Sequence, residues 1–223
     1  MSYSIAIDGP AGAGKSTIAK RISKKLGCIY VDTGAMYRAM ALYFIKNGIS
    51  AQDSEAISQN CGKADVTIRY EDNEQVVYLN GENVNGYIRT EEVGKMASTS
   101  SKNPDVRVKL VELQRKLAQS CDVIMDGRDI GTCVLPNATV KIYLTASVDV
   151  RAKRRFDELS AKGEDCDYEQ IAADIALRDH QDMTREISPL RQAEDAILLD
   201  TSDMNIDQVV DAIISICEKK GCI

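Results

Sequence analysis

Gly9-Pro10-Ala11-Gly12-Ala13-Gly14-Lys15-Ser16 fits the pattern G-x-x-x-x-G-K-[ST] at every fixed position, and its neighbours on both sides decide the fold. Before it, Ser4–Asp8 is a short apolar run that reads as a buried strand. After it, Ile18, Ile22 and Leu26 recur at helical spacing, and Gly27 is suited to end that helix. A glycine-rich loop between a strand and a helix is built to hold phosphate. Its glycines let successive backbone N–H groups turn toward phosphate oxygens, and the helix N-terminus adds the positive end of its dipole. In such a loop Lys15 reaches the β- and γ-phosphates of a nucleotide, and the Ser16 hydroxyl can ligate Mg²⁺. The alternative is a tight turn that happens to be glycine-rich; motif and context together favour phosphate.

Working outward, Cys28–Val31 reads as a second apolar strand, closed by Asp32-Thr33-Gly34. A helix with Met36, Met40, Tyr43 and Phe44 on one face follows and ends near Asn47-Gly48. This βαβα start is the pattern of a parallel sheet covered by helices. The stretch 64–89 breaks the rhythm. Val66–Tyr70 and Val76–Leu79 alternate, and Asn80-Gly81 marks a tight turn into another extended segment, so a small antiparallel sheet is expected here. Beyond it, Asp105–Ser120 reads as a helix with Val106, Leu110, Leu113 and Leu117 inward. Asp122–Asp126, Val140–Leu144 and Ile197–Asp200 read as three more buried strands. Val148–Lys162 and Tyr168–Arg185 read as charged helices, and Asp207–Lys219 as an amphipathic closing helix. One α/β domain over 1–223 is expected, with no repeat or linker.

Composition narrows the partners. A hydrophobic fraction of 44% can fill a sizeable core. The net charge of −6 argues against a nucleic-acid polymer as the main partner, while leaving room for a small anion held by a local cluster of cations. No apolar run is long enough to span a membrane, and Met1-Ser2-Tyr3-Ser4 lacks the basic-then-apolar pattern of a signal peptide. The seven cysteines are scattered singly with no CxxC pair, so reduced thiols in a cytoplasmic protein are expected rather than a zinc site or a redox dithiol.

A phosphate loop alone indicates a nucleotide and leaves the reaction open. No guanine-reading NKxD segment occurs, and the chain is short for a motor ATPase. A small-molecule kinase remains, and it needs an acceptor site. Asp32–Arg38 opens a helix at the carboxyl end of a strand, where ligands bind in parallel sheets. Asp32 or Thr33 also suits a helix cap. Asp126-Gly127-Arg128-Asp129-Ile130-Gly131 sits at the end of another strand, and two acids and an arginine between glycines there favour a site over a solvated turn. Arg178, Asp182 and Arg185 share a helix face, either as part of a site or as a surface ion-pair ladder. Arg151, Arg154 and Arg155 fit a cationic lid or solubilising charge equally well. His180 reads as an exposed helix residue.

Gly9–Thr17, Asp32–Arg38, Met125–Gly131 and Arg178–Arg185, in this order and spacing, resemble the bacterial cytidylate (CMP/dCMP) kinases. The resemblance runs from the first strand to the last helix and includes the antiparallel insert. It implies a P-loop three-layer α/β fold: a five-stranded parallel sheet flanked by helices, an insert at about 60–92 and a helical lid at about 148–168. It implies transfer of the γ-phosphoryl group of ATP to CMP or dCMP, with Mg²⁺, by a monomer. By position, Gly9–Thr17 hold ATP, Lys15 with Arg128 and Arg178 is catalytic, and Arg151, Arg154 and Arg155 fall in the lid. Arg38, Arg128 and Arg178 match residues that hold the acceptor phosphate; Ser98, Arg107 and Asp129 match those that read cytosine; Asp182 and Arg185 lie near the sugar. Thr33 stands where many relatives have serine, and supplies a hydroxyl all the same. Ser98 is placed by its distance to Arg107, because Ala97–Ser101 offers several hydroxyls. The competing readings are another small-molecule P-loop kinase, or a nucleotide-binding regulatory switch, which the arginine-rich second site disfavours.

Overall fold

The computed structural model describes residues 2–71 and 74–222; Met1, Ile223 and positions 72–73 of the expected insert lie outside them. The chain divides into two compact units, residues 1–28 with 122–223, and residues 29–121.

The first unit carries β1 (Ser4–Asp8) and α1 (Lys15–Leu26). The second carries β2 (Ile29–Asp32), α2 (Thr33–Lys46), α3 (Ser54–Cys61), β3 (Val66–Glu71), β4 (Glu74–Leu79), β5 (Glu82–Asn83), α4 (Glu91–Ser100) and α5 (Pro104–Ser120). The first resumes with β6 (Val123–Gly127), a π-helical segment (Ile130–Val134), β7 (Val140–Thr145), α6 (Val148–Ala161), α7 (Tyr168–Thr184), β8 (Ile197–Asp200) and α8 (Ile206–Lys219). As expected, a five-stranded sheet forms; β1 pairs in parallel with β6 and β7, β7 pairs in parallel with β8, and the fifth strand is β2.

In the first unit Ile5, Ala6 and Ile7 are fully covered, as are Val123, Ile124 and Met125 beside them. Strands buried on both faces read as unbroken apolar runs, which is why both were legible. Ser4 to Asp8 pair with Val123 to Gly127, so the phosphate loop and the Arg128-Asp129 segment leave neighbouring strands at the same end. Gly14 and Gly27 bound α1 in the left-handed region, at φ 85° and 68°. Gly9 allows no substitute, since a Cβ there would lie 1.9 Å from the Leu144 carbonyl oxygen.

In the second unit β3, β4 and β5 form the expected antiparallel sheet. Asn80 and Gly81 both have positive φ and join Leu79 to Glu82 in a two-residue turn. Asp32 caps α2 by accepting from the Ala35 N–H at 2.9 Å, while Thr33 is the first helical residue. Asn103 and Pro104 start α5 in the same way.

Three expectations are corrected. Ile197–Asp200 was expected to be buried, but β8 pairs only with β7 and leaves Leu198 56% exposed. Along α5, Leu113 and Leu117 are half-buried, and the covered positions are Val106, Arg107, Leu110, Val111 and Gln114. Helix α7 stops at Thr184, so Arg185 is an extended C-cap residue and does not continue the helix face of Arg178 and Asp182. Helices α3 and α4 and the π-helical segment had no counterpart in the reading of the sequence.

Candidate active site

The first unit holds the phosphate loop. Lys15 is buried, and its ammonium donates to the carbonyls of Gly9 and Pro10, at 2.7 Å each. Burial, and then the charge of Arg128, hold its pKa well below the usual lysine value, against the pull of Asp126, Asp8 and Asp182. The cation is thus folded back on its own loop. Ser16 donates its hydroxyl to Asp126 Oδ2 at 2.8 Å.

The segment after β6 supplies the next groups. Arg128 Nε donates to Asp182 Oδ2 on α7 at 2.8 Å, and Arg128 Nη1 to the Gly127 carbonyl at 3.3 Å. Both side chains of this pair are largely buried. Asp182 therefore meets Arg128 across the fold, 54 residues away in the chain. Asp129 is buried, with Oδ1 3.6 Å from Arg185 Nη2, and Arg185 Nε donates to the Ser188 carbonyl. Arg178 and His180 stand on the exposed side of α7.

The three arginines of α6 differ. Arg151 is buried; it donates to the Ala146 and Ala11 carbonyls at 2.9 Å each and to Asp179 Oδ2 on α7 at 2.6 Å. It thus holds the phosphate loop from behind and links α6 to α7, whose Phe156 and Tyr168 rings also meet edge to face. Arg154 donates to the Thr201 carbonyl, and Arg155 pairs with Glu158 at the surface.

The second unit holds the remaining candidates. Thr33 is buried at the start of α2. Arg38 donates to the Ile88 carbonyl at 3.2 Å, and its guanidinium lies against Gly94 of α4, where a Cβ would come within 3.2 Å of Nη1. Arg107 is buried near the Tyr37 ring, 5.7 Å from its centroid, and reaches the Ser101 carbonyl at 3.5 Å. Ser98 is half-buried on α4, one turn before Ser101.

Several participants escaped the sequence reading. Asp126 was noted only as part of its segment, and Asp8, Asp179, Gly94 and Arg89, which pairs with Asp32 at 2.7 Å, were not singled out. Local spacing carries no signal for partners 28 to 122 residues apart.

The cytidylate kinase family model matches residues 5–219. The chain belongs to the cytidylate kinase family. A cytidylate kinase from Caldicellulosiruptor bescii is 52% identical over 215 residues, 96% of this chain and 95% of that protein. One from Bacillus subtilis is 46% identical over 218 residues, 98% and 97% of the two chains. Among solved structures, an uncharacterized protein from Eubacterium ventriosum has a TM-score of 0.55 at 12% identity, covering 97% of this chain and 99% of its own, which shows the fold alone. The family places the phosphate loop, the Arg128-Asp129 segment and α7 within one matched span.

Proposed function

We propose that the chain transfers the γ-phosphoryl group of ATP to CMP or dCMP, giving ADP and CDP or dCDP. The observation that carries this is the grouping of Lys15, Arg128 and Asp182 around the phosphate loop, in a chain matched by the cytidylate kinase model nearly end to end. The nucleophile is a phosphate oxygen of CMP. A phosphate monoester has a second pKa near ~6 and is largely ionised at neutral pH, so no side chain need act as base. The protein must instead offset repulsion between two anions and stabilise charge on the group in flight. Cations do this, and the surface His180 has no part in it.

Gly9 to Thr17 bind the phosphates of ATP, with Lys15 on the transferring group. Arg128 and Arg178 hold the acceptor phosphate, as does Arg38 of the second unit. Asp182 orients Arg128 and, with Arg185, meets the sugar. Ser98, Arg107 and Asp129 read cytosine, and Thr33 supplies a hydroxyl to the acceptor. The stretch at about 148–168 acts as the lid, with Arg154 and Arg155 over ATP and Arg151 anchoring the lid to Ala11 of the loop. A lid that assembles the site only around CMP suppresses attack by water. The three-stranded sheet is the CMP-side insert of a single kinase domain.

The residues fit a magnesium ion. The Ser16 hydroxyl and the Asp126 carboxylate, 2.8 Å apart, are hard oxygen donors, and among the described residues no cluster of three or more metal-ligating side chains competes for it. Magnesium binds through one or two protein oxygens plus phosphates and water, and when bound it neutralises phosphate charge. The reading includes a cytoplasmic monomer whose partners are nucleotides and no nucleic-acid polymer. Seven free cysteines support a reducing compartment, and among the described residues no helix is long and apolar enough to cross a membrane.

Chromatographic detection of CDP from ATP and CMP tests the reaction; ADP without CDP would refute it. A second expected outcome concerns Asp182. Asp182→Ala raises KM for CMP about fivefold or more and leaves KM for ATP within twofold, because it frees a largely buried arginine at the acceptor side. A surface pair would cost under ~1 kcal/mol of stability and nothing in turnover. Kinetics with each substrate varied in turn decide between them, and unchanged CMP parameters would refute the assignment.

A further inference from the structure

Asp8 is a buried carboxylate with no part in the chemistry above. It is the last residue of β1, directly before the phosphate loop, and is 5% exposed. Its Oδ1 accepts from the Ile130 N–H at 2.7 Å and its Oδ2 from the Gly131 N–H at 2.7 Å. These are the first two amides of the π-helical segment that follows Arg128 and Asp129. Gly131 permits the close approach, since a Cβ there would lie 3.4 Å from Asp8 Oδ2 and 3.1 Å from Lys141 Cδ.

An aspartate at a helix N-cap ordinarily turns its own carboxylate onto the first free amides. Asp129 occupies that position and makes no such bond. The amides are satisfied from 122 residues away, by Asp8, and the Asp129 carboxylate faces Arg185. We propose that Asp8 is a positioning residue: by capping Ile130 and Gly131 in place of Asp129, it fixes the Arg128-Asp129 segment on the acceptor side.

The ionised form suits this task, because only a carboxylate accepts with both oxygens and donates with neither. Burial pushes the Asp8 carboxyl up to about 6, opposed by the two N–H bonds, so the ionised form predominates at pH 7. Asn at position 8 has nearly the same shape but only one acceptor, and its NH₂ would confront the other amide. The proposal rests on the assignment of Arg128 and Asp129 to the acceptor.

The test is Asp8→Asn, read by amide hydrogen exchange at Ile130 and Gly131 and by steady-state kinetics. We expect exchange at one or both amides to accelerate roughly tenfold or more and KM for CMP to rise about fivefold, with the ATP dissociation constant within about twofold. Unchanged exchange overturns the cap. Faster exchange with unchanged CMP kinetics overturns the link to the acceptor. Equal loss of ATP and CMP binding also overturns it, since Asp8 would then serve the phosphate loop alone. If the variant does not fold, exchange in the wild type decides: protection of both amides like that of β6 supports the cap, and exposed-loop rates overturn it. Failure of the underlying reading shows separately, as a wild type that makes no CDP.

Discussion

Lys15→Ala lowers kcat at least ~100-fold, about 2.7 kcal/mol of transition-state stabilisation, while the far-ultraviolet circular dichroism and the melting transition stay those of the wild type. The size follows from where the ammonium sits. It is buried, and its partners Gly9 and Pro10 are carbonyls of the loop proposed to hold the phosphates. A charge already taken out of water acts at full strength on a group that becomes more anionic as the bond breaks. The loop keeps its Ala11 carbonyl bonded to Arg151, so the fold survives. The neighbouring arginines cannot substitute: Arg128 is committed to Asp182, and Arg151 to Asp179 and the Ala11 carbonyl. A folded Lys15→Ala variant with wild-type turnover would remove the phosphate loop from the mechanism.

Asp129→Asn shrinks the preference for CMP over UMP by roughly tenfold or more, since a lost charge-assisted hydrogen bond is worth ~1.5–3 kcal/mol. Cytosine presents a donor at its exocyclic amine and acceptors at N3 and O2; uracil has an acceptor in place of the amine and a donor at N3. A carboxylate near the amine attracts one base and repels the other, so it discriminates twice. Under the proposed assignment, Arg107 and Ser98 supply donors for N3 and O2. The competing role for Asp129 is visible in its 3.6 Å approach to Arg185, which it could simply orient. Orientation alone would harm both substrates alike. The kcat/KM values for CMP and UMP, measured on the wild type and the variant, separate the two, and an unchanged ratio would exclude Asp129 as the cytosine reader.

The sequence was most legible where physics is local. The glycine punctuation around α1, the Asn80-Gly81 turn and the apolar runs of β1, β6 and β7 each announce their structure within a few residues. Helix α4 was invisible for a reason tied to the site. Its Gly94 and run of serines and threonine are poor helix formers, and that glycine gives Arg38 its place. Helix α3 shows only Ile57 and Cys61 as buried positions over eight residues, too few to reveal a period. Ile197-Leu198 was misjudged because an apolar run does not say whether a strand has one neighbour or two.

At the candidate site, the residue types were readable and their pairings were not. Asp182 shares a helix face with Arg178, which left a site and an ion-pair ladder equally open, and nothing in that spacing pointed to Arg128, 54 residues away. Arg151 looked like its surface neighbours Arg154 and Arg155, yet it is buried against the phosphate loop. Asp8 looked like the end of a strand and caps a segment on another. Each is a contact set by the order of strands in the sheet, which spacing along the chain does not encode.

The most direct test of the account is an ADP-coupled assay at saturating ATP across a panel of acceptors: CMP, dCMP, UMP, AMP, GMP and shikimate, with an acceptor-free control. The account predicts the highest kcat/KM for CMP or dCMP and negligible ADP release without an acceptor. A faster acceptor of another class, or ADP release that no acceptor accelerates, would contradict it.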